Sequence, residues 1–232
     1  MSSNVPHVTW GIESNGLINQ KCVLTHVPLQ LPKYLVNYLK QYSDTAVVYN
    51  GYIHVLSMDK TSYVMYQPYT AIEAQEPLEL DLKAAYRTKE VTIPGPLTRK
   101  YEYDVAIYNE LVKTLPHGTP KWVEVYQDSI EKMHALFKLL SLYYANAGVA
   151  VLDDRVIIKH ADADHELSFA FGPGITALTD ADVKYTYRAE ALASATNLAG
   201  VDKAWVGVDD MGLLMFEYWK EDGRIKVFIA PA

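Results

Sequence analysis

The sequence has almost no cysteine and no long hydrophobic run, and each absence excludes a class of protein. Cys22 is the single cysteine in 232 residues, which excludes an internal disulfide and a zinc site built on several thiolates. One cysteine also suits a reducing compartment. The longest apolar stretch, residues 135–144, is interrupted by Lys138. It is far shorter than the roughly 18 to 20 residues that a membrane span needs, so we expect no contact with a membrane.

Positive charge is also scarce. The net charge is -7, and residues 121–232 hold 11 Lys and Arg against 17 Asp and Glu, so this half carries -6 of the total. A protein that coats nucleic acid through phosphate contacts needs the opposite balance. A local basic face remains compatible with this composition.

What remains describes a globular chain. Half of the residues are hydrophobic, and the 12 glycines and 11 prolines are near ordinary usage, so disordered and low-complexity classes are excluded. Residues 1–5 have neither a basic nor a hydrophobic segment, from which we expect no secretory signal and an intracellular protein. No phosphate-binding glycine loop, nucleophile elbow or zinc-protease helix motif is present, and we expect no catalytic residue, cofactor or metal.

Turn residues define a unit of one helix followed by three strands. Residues 45–49 and 52–56 flank Asn50-Gly51, a pair that favours a two-residue hairpin turn. A helix with Leu35, Val36 and Leu39 on one face precedes them, and a third strand follows at residues 63–66.

The same order recurs twice further along the chain. In the second copy, Ser129 is expected to cap a helix that runs to about Ala145 and is closed before Gly148. Its strands are predicted at residues 149–152, 155–159 and 165–171. The third copy has a strand at 183–187, a helix at 188–199, and strands at 203–208, 213–219 and 224–229. Because repeats outweigh local patterns, this order predicts the fold.

The region between the first two copies is less regular. Strands are predicted at residues 78–84 and 89–93, a helix at 104–115 and a strand at 121–127, but the fold of residues 70–115 stays open. Residues 115–120, LPHGTP, have the composition of a connector. We therefore predict two domains, residues 1–116 and 117–232.

The C-terminal segment resembles one particular family. Residues 212–218 read GLLMFEY and residues 221–231 read EDGRIKVFIAP. This resembles the closing hairpin of proliferating cell nuclear antigen and its archaeal and viral relatives, the sliding clamps of DNA polymerases. Residues 121–231 match a whole clamp domain in element order, whereas residues 22–69 match half a domain. The chain is shorter than cellular clamps, which suggests a phage or viral member.

The resemblance implies an α+β DNA-clamp fold of two domains, each built from βαβββ-type units, with helices lining a ring and sheets outside. It implies a non-enzymatic processivity factor that encircles duplex DNA without sequence preference and tethers the replicative polymerase. The expected partners are double-stranded DNA, the DNA polymerase, an ATP-driven clamp loader and two further copies of the chain in a homotrimer. The expected location is replication sites, in the host cytoplasm or nucleoid for a phage protein and in the nucleus for a eukaryotic one.

The resemblance also implies where the interfaces lie. Basic residues on the solvent faces of the helices would face DNA: Lys33, Lys40, Lys113, Lys132, Lys138 and Arg188. Residues matching the family's pocket for aromatic anchors of partners are Leu213, Phe228, Ala230 and Pro231. Subunits would join through an edge strand carrying His165, Leu167, Phe169 and Phe171.

Purely structural roles are the alternative for these residues. Exposed helix lysines are ordinary solubilising charges, and Leu213 and Phe228 are also ordinary core residues of strands. Residues 160–165, HADADH, suggest either a tight turn or a metal site, and the turn is favoured for them and for the pairs Asp153-Asp154 and Asp209-Asp210.

Two other functions compete with the first. A clamp-fold protein of a checkpoint ring or a mobile transcription activator would differ in oligomer composition. A β-rich small-molecule enzyme with an accidental C-terminal resemblance would show a deep polar pocket.

Overall fold

The structure is a computed structural model that describes part of the chain. The described residues are 9–10, 22–23, 28–29, 31–49, 51–70, 78–83, 91–92, 120–161, 166–172, 175–178 and 182–232. The predicted helix at 104–115 and the domain boundary between residues 116 and 117 lie outside them.

The described elements alternate short helices with antiparallel strands. The helices are α1 (Lys33–Leu39), α2 (Gln127–Tyr143) and α3 (Ala189–Thr196). The strands before α2 are β1 (Thr9–Trp10), β2 (Cys22–Val23), β3 (Pro28–Leu29), β4 (Thr45–Tyr49), β5 (Tyr52–Leu56), β6 (Ser62–Pro68), β7 (Leu78–Asp81), β8 (Val91–Thr92) and β9 (Lys121–Val125). Those after it are β10 (Asn146–Leu152), β11 (Arg155–Ala161), β12 (Glu166–Gly172), β13 (Ile175–Leu178), β14 (Thr186–Arg188), β15 (Lys203–Val208), β16 (Leu214–Lys220) and β17 (Gly223–Ile229). None of these helices combines the length and the hydropathy of a membrane span.

The predicted helix-and-three-strands unit is confirmed in all three copies. α1 precedes β4, β5 and β6, α2 precedes β10, β11 and β12, and α3 precedes β15, β16 and β17. The hairpin strands β4 and β5 have the predicted bounds, and Gly51 in their turn has φ +81°, which side chains with a Cβ rarely adopt. Asp153 and Asp154 also have positive φ, in the turn predicted for them.

The chain divides into two compact units. The first comprises Met1–Val55 and Ala71–Lys113, and the second comprises Leu56–Thr70 and Thr114–Ala232. Residues 56–70 lie in the predicted N-terminal domain. They group with the C-terminal residues because β6 pairs with β17 along its whole length.

In the first unit, β4 pairs with β5 on one side and with β7 on the other. The buried face of α1, with Leu35, Val36, Tyr38 and Leu39, belongs to this unit's core. The hydroxyl of Tyr42 donates to that of Tyr38 over 3.1 Å, so the phenols at the helix end are buried with their hydrogen bonds made.

The second unit contains two antiparallel sheets. One has the order β6, β17, β16, β15, β9, and the other has the order β13, β12, β11, β10, β14. α2 and α3 pack against each other, and α2 also contacts β10, β12 and β15. Ile130, Met133 and Phe137 of α2 are fully buried, so the helical spacing noted in the sequence does mark its core face.

Two predicted details of α2 are wrong. Its N-cap is Tyr126 rather than Ser129, which lies buried in the first turn. The helix ends at Tyr143, because Tyr144 is extended and Asn146 already pairs with Arg188 in the sheet. Gly148 therefore lies inside β10 and does not close the helix.

The burial pattern of α2 leads to a stability prediction. Phe137→Ala removes a fully buried ring and should lower the free energy of unfolding by about 3–5 kcal/mol. Leu139→Ala on the exposed side of the same helix should change it by about 0.5 kcal/mol or less. Urea unfolding followed by circular dichroism measures both, and equal losses would contradict the assigned face.

Candidate DNA-facing, subunit and partner surfaces

The predicted DNA-facing residues occupy the helices, as expected from their spacing. Lys33 is exposed on α1 and Lys40 is half-buried just after it. Lys132 and Lys138 are exposed on α2, on the side away from Phe137. Lys113 lies outside the described residues.

Acidic neighbours offset part of this charge. Lys132 Nζ lies 3.4 Å from Asp128 Oδ2 one turn earlier, and Glu131 is exposed beside it. Such an exposed pair stabilises little but cancels charge locally. Lys138 makes no ion pair with any carboxylate in the described part of the chain. The positive charge of α2 is therefore concentrated towards the middle of the helix.

Arg188 has a structural contact that the sequence did not indicate. Its guanidinium pairs with the carboxylate of Asp59, in the turn between β5 and β6, and lies 3.9 Å from Glu190. Partial burial opposes ionisation of Asp59, but hydrogen bonds from Ser57 and Thr61 and the charge of Arg188 lower the pKa of its carboxyl overall. Arg188 thus ties the start of α3 to this turn, and its charge is already engaged within the chain.

The C-terminal half of α2 exposes apolar side chains where a basic surface was expected. Leu139, Leu142 and Tyr143 are 50%, 71% and 73% exposed. They lie three and four residues apart and so share one side of the helix. Clusters of large exposed apolar residues are typical of surfaces that another molecule covers. We call these three residues the apolar end of α2.

The predicted edge strand is not an edge. The strand with Leu167, Phe169 and Phe171 is β12, which pairs with β11 on one side. On the other side its residues Phe169–Gly172 pair with β13, so β13 is the outer strand of this sheet. Phe171 is buried within the chain, and His165 lies outside the described residues. No strand is predicted from the sequence at residues 175–178, where β13 lies.

The four predicted partner-pocket residues lie at the open end of the β16–β17 hairpin, opposite its turn at residues 221–222. Leu214 pairs with Ile229, so Leu213 before β16 and Ala230 after β17 meet at this end of the sheet. Ala230 and Pro231 are exposed and Leu213 is half-buried. Phe228 is only 8% exposed, because Tyr63 of β6 stacks on its ring with centroids 5.8 Å apart. The accessible surface here is therefore formed by Leu213, Ala230 and Pro231, which we call the hairpin end.

A rigid turn holds Leu213 in place. Asp209 is 6% exposed, and its Oδ1 accepts hydrogen bonds from the backbone N–H groups of Met211, at 2.9 Å, and Leu213, at 2.7 Å. The turn predicted for Asp209-Asp210 is confirmed, with the carboxylate serving as an internal acceptor. Gly212 has φ +83°, and a Cβ there would approach the Tyr185 ring to 2.5 Å.

Two tyrosines that the sequence analysis missed brace this turn from β14 and the residues before it. The Tyr185 hydroxyl donates to the carbonyl of Asp210, and the Tyr187 hydroxyl donates to that of Gly212, each at 2.7 Å. Burial raises the pKa of Tyr187, and the nearby Asp209 and Tyr185 raise it further, so its phenol stays a donor. Ala232 is held to the same segment, since its N–H donates to the carbonyl of Thr186 at 2.8 Å. The sequence signal available for these two residues is a strand rich in tyrosine before a helix. The carbonyls that they contact follow 25 residues later, so the sequence alone does not identify the contacts.

The metal alternatives receive no support from this geometry. Within the described part of the chain, no group of three His, Cys, Asp or Glu side chains is placed to hold a metal ion. Asp153 and Asp154 occupy a hairpin turn, and residues 162–165 of the HADADH segment are outside the described residues.

Comparison with solved structures identifies the fold. The chain is similar to the proliferating cellular nuclear antigen of Entamoeba histolytica, with 12% identity, a TM-score of 0.61, and coverage of 86% of this chain and 94% of that one. It is similar to the PCNA2–PCNA3 complex of Sulfolobus tokodaii, with 11% identity, a TM-score of 0.62 and the same two coverages. The PCNA of Thermococcus kodakaraensis gives 16% identity, a TM-score of 0.58 and coverages of 86% and 95%.

No protein-family profile matches the sequence, and neither does any curated protein. At identities this low, structural similarity shows the architecture alone. The chain has the α+β fold of the PCNA sliding clamps.

Proposed function

We propose that this chain is a sliding clamp, a non-enzymatic protein that forms a homotrimeric ring around duplex DNA and tethers a DNA polymerase. The observation that carries the proposal is the repeated helix-and-three-strands unit in a clamp fold, with lysines on the exposed sides of α1 and α2. A closed ring holds DNA by topology, so a net charge of -7 is compatible with it as long as the helices supply a modest local attraction.

The apolar end of α2 supports self-assembly. Two domains of about this size are too small to enclose a duplex alone, so several copies are required. Leu139, Leu142 and Tyr143 present the kind of surface that an interface between copies would bury. β13 is the outer strand of its sheet among the described strands, and an outer strand can pair with the edge of another chain.

The hairpin end supports the partner-binding part of the proposal. Leu213, Ala230 and Pro231 form an accessible apolar surface on a turn held by Asp209, Tyr185 and Tyr187. A preorganised surface loses little freedom when a partner binds. Aromatic anchors of a polymerase or clamp loader would dock here.

Assembly is tested by solution mass. Light scattering should give about three times the 26.1 kDa of one chain, and Leu142→Glu should shift the mass towards one chain at low micromolar concentration. If the copies still assembled, the introduced carboxylate would be buried in their interface, which is unfavourable.

Met58→Glu serves as the matched control, because Met58 is also an exposed apolar residue, 89% exposed, and lies off α2. It should leave the mass unchanged. If Leu142→Glu retains the mass of the unmodified protein, the apolar end of α2 is not an interface between copies.

The DNA-facing role is tested by charge reversal. Lys33→Glu combined with Lys138→Glu should weaken salt-dependent association with linear duplex DNA by about ten-fold at low salt, because phosphate contacts contribute through released counterions. Fluorescence anisotropy with a labelled duplex measures this. Lys60→Glu combined with Lys121→Glu changes the net charge equally at exposed positions off the helices, so an equal loss in that variant would contradict a helix-specific contact.

A further inference from the structure

The face of the second unit's sheet that points away from α3 has an ordered ladder of side chains. The opposite face is turned to the helix, because the Tyr218 hydroxyl donates to the carbonyl of Ala195 in α3. Residues directly opposite each other on neighbouring strands project from the same face. The register therefore defines three rows across the outer face. They are Gln67, Arg224, Trp219 and Lys203; then Met65, Lys226, Glu217, Trp205 and Glu124; then Tyr63, Phe228, Met215, Gly207 and Trp122.

The rows change in character along the strands. The third row is apolar, and Tyr63, Phe228 and Met215 in it are buried. It lies next to the hairpin end. The first row, with Lys203, Trp219 and Arg224, is cationic and aromatic, and we call these three residues the cationic row. Four residues along a strand separate the two rows, a distance of about 13 Å.

The cationic row is built around one indole. The Arg224 guanidinium carbon lies 4.1 Å from the centre of the Trp219 ring, and Lys203 Nζ lies 5.9 Å from it. Trp205 packs against Trp219 with ring centroids 4.9 Å apart. Lys203 and Arg224 thus lie on the two strands that flank Trp219, and both contact its indole ring. Both strands pair with the strand of Trp219 along their length.

Of the two carboxylates in the row beside the cationic row, Glu217 and Glu124, the one nearer to Trp219 is Glu217, and it is already neutralised. Glu217 Oε1 accepts the indole N–H of Trp219 at 2.7 Å, and its Oε2 lies 3.5 Å from Lys226 Nζ. Glu217 is therefore engaged on both oxygens. No carboxylate in the described part of the chain forms an ion pair with Lys203 or Arg224. Two positive charges remain uncompensated on the outer face of an acidic protein.

We propose that the cationic row binds acidic side chains of a partner protein segment whose apolar anchors occupy the hairpin end. This deepens the partner-binding part of the proposed function and rests on it. An extended segment laid along the strands places residues about four to six positions from its anchor over Trp219. A carboxylate there is flanked by Lys203 on one side and Arg224 on the other, and both can donate charge-assisted hydrogen bonds to it.

A protein segment fits this surface better than a nucleic-acid strand. Bases of a single strand bind by stacking on open aromatic faces. Here Arg224 covers a face of Trp219 and Trp205 packs beside it, so little open ring is left. The charge of the row is also confined to two side chains and does not extend into a groove along a backbone.

The test uses two short fluorescein-labelled peptides that share the same aromatic anchors. One carries glutamates on both sides of the anchors, and the other carries glutamines at those positions. The glutamate peptide should bind the full chain about five-fold or more tightly than the glutamine peptide in fluorescence anisotropy at low salt. The difference should shrink as salt is raised.

Charge reversal in the cationic row tests whether this row causes the difference in affinity between the two peptides. Lys203→Glu combined with Arg224→Glu should abolish the preference for glutamate, and Lys203→Gln combined with Arg224→Gln provides a gentler variant if the first fails to fold. Lys83→Glu combined with Arg155→Glu should keep it: the change in charge is equal, and these exposed residues lie after β7 in the first unit and on the second unit's other sheet.

The remaining outcomes overturn one proposal or both. Equal binding of the two peptides, or a preference that survives charge reversal of the row, overturns the acidic-partner proposal and leaves the hairpin end intact. Binding of neither peptide overturns the partner-binding surface as well. A single-stranded oligothymidylate that binds with the same dependence on Lys203 and Arg224 would assign the row to nucleic acid instead.

Discussion

The antiparallel pairing of β6 with β17 is the constraint on which the functional surfaces depend. Seven residue pairs, from Ser62 opposite Ile229 to Pro68 opposite Gly223, join a segment near the start of the chain to its last strand. This register stacks Tyr63 on Phe228 and places the turn with Asp59 within reach of Arg188. Beside this pairing, the N–H of Ala230 donates to the carbonyl of Thr61, and the N–H of Ala232 donates to that of Thr186. A slip of one residue would turn every side chain of β17 to the other face.

Much of the fold could be predicted from local patterns. The hairpin at residues 45–56 follows from the Asn-Gly pair, and the core face of α2 follows from apolar residues at helical spacing. The strand predicted at residues 203–208 as part of the third copy has the observed bounds, Lys203–Val208. These features depend on neighbours in sequence, so a single sequence contains them.

The predictions are wrong or incomplete where contacts between residues far apart in the sequence determine the structure. Tyr144 extends because β10 begins to pair at Asn146, which no helix-capping rule indicates. The prediction that β12 is an edge is wrong because the short strand β13, which the sequence pattern does not indicate, pairs with it. The accessible part of the hairpin end also differed from the prediction, since Phe228 is covered by a tyrosine more than a hundred residues earlier. The roles of Tyr185 and Tyr187 likewise depend on carbonyls of a turn that follows α3.

In the proposed function, DNA is held mainly by encirclement, whereas a protein partner is held by specific contacts. A ring needs only weak attraction to DNA, which fits helices where Lys132 and Arg188 are partly offset by acidic residues. Specific binding is then left to the sheet side, where the braced apolar hairpin end lies six residues along the strands, about 20 Å, from Lys203 and Arg224. Such a division lets the protein slide on DNA while it holds a protein partner tightly.

Retention on end-blocked linear DNA tests the central claim most directly. The purified chain would thread onto a linear duplex biotinylated at both ends, the ends would then be blocked with streptavidin, and free protein would be removed by gel filtration at moderate salt. A ring that encircles DNA stays on the end-blocked duplex and is lost from the same duplex with free ends. Protein that is retained equally on blocked and free-ended DNA, or on neither, would contradict encirclement.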